Sequence, residues 1–359
     1  MSRKLKIGIA GLGRMGARHA NHFNALTPRA ELIAACSPAP HELEWAATNL
    51  PDVRTYSSFD EMLENETALE AVVIASITAA HAEQAIKAMQ KGLHVLCEKP
   101  LSIDAEISQT VVDTYAKSIK QYPSQKVMCG FSRRFDASYQ DAYAKTRSGL
   151  IGRPTIFRSQ TCDKRDPSGF FINFAASSGG IFVDCSVHDI DLALWFLGED
   201  SVIKSISAVG VSAVSPGLDA HNDRDNAVGF VEFWGGKIAY FYTCRMMAAG
   251  QEDSTEIIGT EGKLTVNMQP QMNLVSIYES TGIRKEIPQN YYDRFREALV
   301  NEANEFVACC LDDKPLPLKL SGAVSAVRIA HALQESMISG KKIDFDEAGT
   351  RIVPTLNGH

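Results

Sequence analysis

The sequence lacks any long apolar run. Runs such as Ala-Val-Val-Ile-Ala-Ser at residues 71–76 fall far short of the roughly 20 residues a membrane-crossing helix needs, so no membrane partner is expected. It also lacks a C-x-x-C pair. Cys36, Cys97, Cys129, Cys162, Cys185, Cys244, Cys309 and Cys310 are scattered, which speaks against a disulfide framework or a zinc site and for reduced thiols in a cytoplasmic protein. Basic clusters are missing too. With 36 Lys+Arg against 43 Asp+Glu the net charge is −7, so nucleic acid is not an expected partner. Met1-Ser2-Arg3-Lys4 leads straight into a strand pattern with no signal-peptide core, in keeping with a cytoplasmic location. There is no internal repeat and no low-complexity linker.

What remains is ordinary globular material. The 359 residues are 45% apolar and 22% charged, enough for about two domains. Up to residue 130, strand and helix patterns alternate: strands at 5–10, 31–36, 71–75, 94–97 and 126–129, helices at 16–26, 41–49, 59–64, 80–91 and 102–120. Alternation of this kind implies right-handed crossovers and an α/β, doubly wound parallel Rossmann sheet. Residues 131–359 read differently. Strand segments at 155–160, 202–214, 227–233, 237–244, 255–258, 263–266 and 274–279 follow one another with one helix, 187–197, among them. Gly235-Gly236 reads as a two-residue hairpin turn. Helices at 291–311 and 321–339 close the chain. This is an α+β domain with a large, mostly antiparallel sheet.

Gly11-Leu12-Gly13-Arg14-Met15-Gly16 is a G-x-G-x-x-G motif between a strand and a helix. Gly11 permits the tight turn, Gly13 a close approach to a pyrophosphate, and Gly16 close packing of helix on strand. The helix N-terminus around Arg14 and Met15 offers N–H groups to phosphate. At the end of the second strand, where an NAD enzyme usually has an acid for the ribose, the chain reads Ala35-Cys36-Ser37-Pro38-Ala39-Pro40. Ser37 holds the position, and the missing acid tilts the expectation to NADP over NAD, with His41 the one nearby cation. Ser76 and His81 lie near the expected nicotinamide ribose, His81 also suiting a helix cap.

Glu98-Lys99-Pro100 follows a strand at the carboxyl edge of the parallel sheet, where doubly wound folds bind ligands. Pro100 turns Lys99 away from helix. Further on, Asp184, His188 and Asp191 are spaced to share one helix face, and a histidine flanked by carboxylates suits a general base. No further ligand completes a metal site there. Arg133 and Arg134 follow the strand at 126–129, and Asp163 and Asp166 lie in a polar stretch. Trp195 and Phe196 read as core, Cys185 as a small buried side chain, and residues 221–225 as a solvated connection.

In these motifs, Gly11-x-Gly13-x-x-Gly16, Glu98-Lys99-Pro100 and Gly179-Gly180 … Asp184-x-x-x-His188, the chain resembles the glucose–fructose oxidoreductase / inositol dehydrogenase / rhizopine-catabolism (Gfo/Idh/MocA) family over nearly its whole length. Residues 130–136 and 188–191 are similar to its inositol dehydrogenase branch. The resemblance implies an NAD(P)-dependent oxidoreductase acting on a secondary alcohol or ketone of a cyclitol or sugar. Lys99, Asp184 and His188 would be catalytic. Asp191, Arg134 and Asp163 would bind the polyol. Glu98 and Lys99 would line the cofactor with the glycine loop. It also implies a homodimer or homotetramer built on the second-domain sheet. Residues 249–253 lack the aromatic common in inositol dehydrogenases, which keeps an aldose, a keto-sugar or anhydrosugar reductase using NADPH, and a non-catalytic NADP sensor similar to the fungal galactose repressor within the range of expectation.

Overall fold

The computed structural model describes residues 3–353. They group into two units. One runs to Asp136 and takes in Glu297–Ser325; the other comprises Ala137–Arg296 and the chain from Ala326. Residues 297–325, read from sequence as part of the second domain, thus group with the first unit.

The first unit is built from β1 (Leu5–Ala10), α1 (Arg14–Asn21), β2 (Ala30–Cys36), α2 (Pro40–Asn49), β3 (Arg54–Tyr56), α3 (Phe59–Asn65), β4 (Ala71–Ile74), α4 (Thr78–Gln90), β5 (His94–Glu98), α5 (Ala105–Ser118) and β6 (Val127–Gly130). The sheet order is β3-β2-β1-β4-β5-β6, and every pair is parallel. The chain reverses its winding between β1 and β4, the place where doubly wound sheets bind ligands. Every residue of β4 is buried, as its unbroken apolar run requires of a strand covered on both faces. Ser58 caps α3, its side chain accepting from the Glu61 N–H at 3.1 Å. β3 escaped the sequence reading because it is three residues long and carries exposed Arg54 and Thr55. The helix expected over 16–26 starts at Arg14 and ends in one π turn, His22–Leu26.

The second unit begins with α6 (Ala137–Arg147), β7 (Pro154–Lys164) and α7 (Phe170–Ser178). A π turn, Phe182–Ser186, runs into α8 (Val187–Leu197). Then come β8 (Ile203–Val211), β9 (Asn226–Phe233), β10 (Lys237–Met247), β11 (Glu252–Gly259), β12 (Lys263–Val266) and a separate hairpin, β13 (Ser276–Glu279) with β14 (Gly282–Lys285). Helices α9 (Tyr291–Leu311) and α10 (Ser321–Ser339) precede β15 (Ile343–Phe345) and β16 (Arg351–Ile352). The large sheet has the order β12-β11-β7-β10-β9-β8-β15-β16. Its β7–β10 pair is parallel and the other pairs with recorded register are antiparallel.

Three details depart from the sequence reading. α6 and α7 join α8 among the strands. α6 is mostly polar and buries only Tyr139, Ala142 and Thr146, too weak a stripe for periodicity to register. α7 is an aromatic run that suits a strand equally well. The β9–β10 turn has three residues, because Lys237 pairs with Phe233 and leaves Trp234, Gly235 and Gly236 outside the ladder.

One face of the sheet packs on α8. There Asp189 is buried and accepts from Ser159 Oγ (2.5 Å) and Thr161 Oγ1 (2.6 Å) of β7, pinning the helix to the strand. Opposite residues in register put Ile156, Ile238, Phe230, Val209 and Val211 together on the other face, exposed.

Candidate active site

The glycine turn fits a dinucleotide. Gly11 stands at φ +86°, a conformation that L side chains rarely adopt. A Cβ on it would lie 2.5 Å from Ser76 Cα, and one on Gly16 would lie 2.0 Å from the Gly11 carbonyl oxygen. Turn, helix start and Ser76 can therefore approach this closely only with glycine at both places. Gly13 is the N-cap of α1. The first turn of a helix offers N–H groups that a phosphate can accept from, which suits the start of α1 to a dinucleotide.

Ser37 is buried at the end of β2, and its hydroxyl donates to Glu42 Oε2 at 2.5 Å. Glu42 belongs to the first turn of α2, five residues beyond the position inspected for an acid. The premise for NADP therefore fails: a carboxylate is present at the end of β2, carried by the next helix. His41, the cation considered there, is exposed.

His81 is buried, with Nδ1 2.8 Å from the Pro100 carbonyl oxygen and Nε2 3.1 Å from that of Ser76. It ties the loop after β4 to the loop after β5. The Lys99–Pro100 peptide is cis. Beneath Lys99, Glu98 Oε1 meets His19 Nε2 at 2.6 Å, and its Oε2 accepts from the Lys99 N–H at 3.1 Å. Burial pushes the Glu98 carboxyl up, but the His19 hydrogen bond and the Lys99 charge outweigh it and hold the group below the usual carboxylate range. Lys99 is half-buried at the carboxyl edge of the sheet. Arg133 and Arg134 are buried in the 3-10 turn Ser132–Phe135 of the same unit.

Close to Glu98 the first unit contains a group the sequence reading missed. Glu302 of α9 is fully buried, and neither carboxyl oxygen has a hydrogen-bond partner. Desolvation, with the Glu98 charge adding to it, holds its pKa well above the ordinary 4.5. A carboxyl raised in the fold stays protonated while the unfolded chain ionises. Its contribution is therefore least harmful below about pH 4.5, and stability falls as pH rises from there toward the folded value. Glu302→Gln is expected to flatten the pH dependence of unfolding between about pH 5 and 7. Urea unfolding across that range checks it, and equal slopes in both proteins would refute it.

In the second unit, Asp184 lies in the π turn and His188 in the first turn of α8. Asp184 Oδ2 accepts from Arg245 Nη2 at 2.9 Å. Arg245 Nη1 donates to Asp223 Oδ2 at 2.7 Å, and Asp223 Oδ1 also accepts from the Ile181 N–H at 2.8 Å. The Arg245 and Asp223 side chains are 1% and 0% exposed, against 22% for Asp184. One end of this chain of charges is thus sealed and the other reaches water. In the segment 221–225, expected as a solvated connection, His221 and Asn222 are exposed but Asp223 and Asp225 are buried. Asp223 anchors Arg245, and buried Asp225 accepts from the N–H groups of Ala213, Val214 and Ser215.

Asp163 Oδ1 accepts from Gln251 Nε2 at 2.8 Å. Cys185 is buried, as expected, with Sγ 3.6 Å from Asp184 Oδ2 and 3.8 Å from Asp163 Oδ2. The structure therefore gathers Asp163, Asp184 and Cys185 with Arg245 and Gln251. His188 is 5% exposed and stacks on Tyr291, ring centroids 5.3 Å apart, with the phenol oxygen 3.4 Å from Nε2. Asp191 is buried on α8. Trp195 stacks on Tyr143 at 3.9 Å, and Phe196 packs on Phe157. Arg245 had one visible signal, an arginine in an apolar strand. Asp223 and Tyr291 had none.

Two family profiles match the chain. One, described as an oxidoreductase family with an NAD-binding Rossmann fold, covers residues 5–124; the other, the GFO/IDH/MocA C-terminal domain, covers residues 139–265. The scyllo-inositol 2-dehydrogenase (NAD⁺) of Bacillus subtilis is 30% identical over 96% of this chain and 98% of its own length. The inositol 2-dehydrogenase of Rhizobium meliloti is 28% identical over 95% and 99%. Among solved structures, scyllo-inositol dehydrogenase from Lactobacillus casei with bound NAD(H) and scyllo-inositol is 33% identical, covers 95% of this chain and 99% of its own, and superposes with a TM-score of 0.89.

Proposed function

The chain belongs to the Gfo/Idh/MocA family of oxidoreductases acting on CH–OH groups, and from that premise we propose that it oxidises a secondary hydroxyl of a cyclitol of the inositol type with NAD⁺. The observation that carries this reading is the full-length likeness to scyllo-inositol dehydrogenases, one of them seen with NAD(H) and scyllo-inositol. The site chemistry is compatible with it. NAD⁺, when bound, supplies the hydride acceptor.

The rest falls to this chain's own groups. The Lys99 ammonium donates a hydrogen bond to the reacting oxygen and stabilises negative charge as it builds there. His188 receives the hydroxyl proton, its ring stacked on Tyr291 at an interplanar angle of 25°. Asp184 keeps one carboxylate oxygen on Arg245 and offers the other to a neighbouring hydroxyl. Asp163, Asp191 and Arg134 are assigned to further substrate hydroxyls, since vicinal diols are well read by fixed carboxylates and cations.

The test is nicotinamide reduction by purified protein with NAD⁺ and a panel of inositol epimers, aldoses and anhydrosugars. Turnover confined to one or two inositols is expected. Turnover confined to aldoses or anhydrosugars would refute the cyclitol assignment. Tight NAD⁺ binding with no turnover would refute the enzyme reading in favour of a cofactor sensor.

A further inference from the structure

The geometry points to Glu42 as the residue that selects the cofactor: from the first turn of α2 it reads the adenosine ribose hydroxyls and excludes the 2′-phosphate of NADP. This rests on the reading of the chain as a dinucleotide-dependent dehydrogenase. In most Rossmann domains that task falls to an acid at the end of the second strand. This chain has Ser37 there, and the structure shows what replaces the acid.

Glu42 turns back from the helix so that Oε2 accepts from both the Ser37 hydroxyl (2.5 Å) and the Leu12 N–H (3.2 Å). The carboxylate therefore touches the strand end and the glycine turn at once. Gly13 makes room for it, since a Cβ at that residue would lie 3.2 Å from Glu42 Oε1. Ser37 is itself fixed, accepting from the Ala39 N–H at 3.1 Å, so its hydroxyl proton is directed to the carboxylate. A negative group in the first turn of a helix is also favourably placed toward the helix dipole.

Few cations stand near the strand end to meet a 2′-phosphate: Arg14 beside Gly13 and His41 beside Glu42 are both exposed. Arg54 is the only arginine or lysine between residues 30 and 60, and Glu66 holds it in a two-armed ion pair. A phosphate carries a charge of about −1.5 to −2 at neutral pH, and like charges in contact are strongly discriminating. The acid that the strand end lacks is thus supplied five residues later, from a direction sequence alignment on the strand would not inspect.

The experiment is equilibrium binding of NADH and NADPH by nicotinamide fluorescence, and of ADP-ribose and 2′-phospho-ADP-ribose by calorimetry, to the full chain and to Glu42→Gln. The amide keeps the shape and an acceptor but removes the charge. The unaltered protein is expected to prefer NADH over NADPH, and ADP-ribose over its 2′-phosphate, by about 100-fold or more, and Glu42→Gln to narrow both ratios at least about tenfold. Glu42→Ser, smaller still, should narrow them further, and unchanged thermal unfolding certifies either variant as folded. Ratios that stay the same in both variants while NADH binds normally would overturn the role of Glu42 and leave the dehydrogenase reading standing. Failure of the unaltered protein to bind any of the four ligands would overturn both.

Discussion

Lys99→Met is expected to lower kcat by about a thousandfold, with NADH affinity changed by no more than about threefold. Methionine nearly matches the lysine stem in length but cannot donate a hydrogen bond or carry charge. In the proposed reaction the oxygen gains negative charge as its proton and the carbon-bound hydride leave. Removing a donor aimed at such a charge costs about 10²–10³ in kcat, and proton-transfer groups contribute about 10²–10⁴. The aim is set by the local structure. The Lys99 N–H is held by Glu98 Oε2, Glu98 by His19, and the next carbonyl, that of Pro100, by His81. Those anchors are backbone and neighbours, untouched by the substitution, so the loop should keep its conformation. Steady-state kinetics with a separate NADH titration checks this; a kcat within tenfold of the unaltered enzyme would remove Lys99 from the chemistry.

The second large effect concerns stability. Arg245→Met should destabilise the protein by about 3–5 kcal/mol, the usual cost of leaving buried charge without its partner. Two carboxylates depend on this guanidinium, and Asp223 cannot turn to water because it is fully buried. Desolvation disfavours the Arg245 charge, yet the nearby Cys185, Asp184 and Asp223 more than compensate and raise its pKa. Adding Asp223→Asn to Arg245→Met should recover part of the loss, because the amide carries no charge to strand. Arg245→Lys should fall between, since one ammonium does not reproduce a planar fork reaching two carboxylates. Urea unfolding of the three proteins decides it. A loss under about 1 kcal/mol in Arg245→Met, or no recovery in the double variant, would show that the buried chain does not hold Asp184.

Arg245 also shows how strand periodicity misplaces a buried residue. Thr243, Cys244 and Arg245 are consecutive and all buried, which simple alternation on a sheet with one exposed face does not give. Pairing of β10 with β7 is irregular between Cys244 and Met247, and the Arg245 N–H bonds to the Asp225 carbonyl. A bulge of this kind re-aims one side chain. Reading residues alternately in and out therefore loses Arg245 at the position where it matters. Glu302 is hidden for a different reason: on a long terminal helix a glutamate reads as a solvent-facing residue until packing removes the solvent.

The sequence by itself determined that the first unit is a doubly wound parallel sheet, though not its edge strand β3, because a G-x-G-x-x-G turn between strand and helix and unbroken apolar strands admit few other arrangements. Short motifs of local spacing also marked Lys99, Asp184 and His188 as candidates. What only the tertiary structure decided is which side chains answer those residues: Glu42 for Ser37, His19 for Glu98, Arg245 and Asp223 for Asp184, Tyr291 for His188. Local spacing fixes periodicity and turns, whereas partners drawn from distant segments, or from a helix that folds back over a strand end, are fixed by packing. Buried charge makes that packing decisive, since each ionised group taken out of water must find its counterpart wherever the chain happens to bring one.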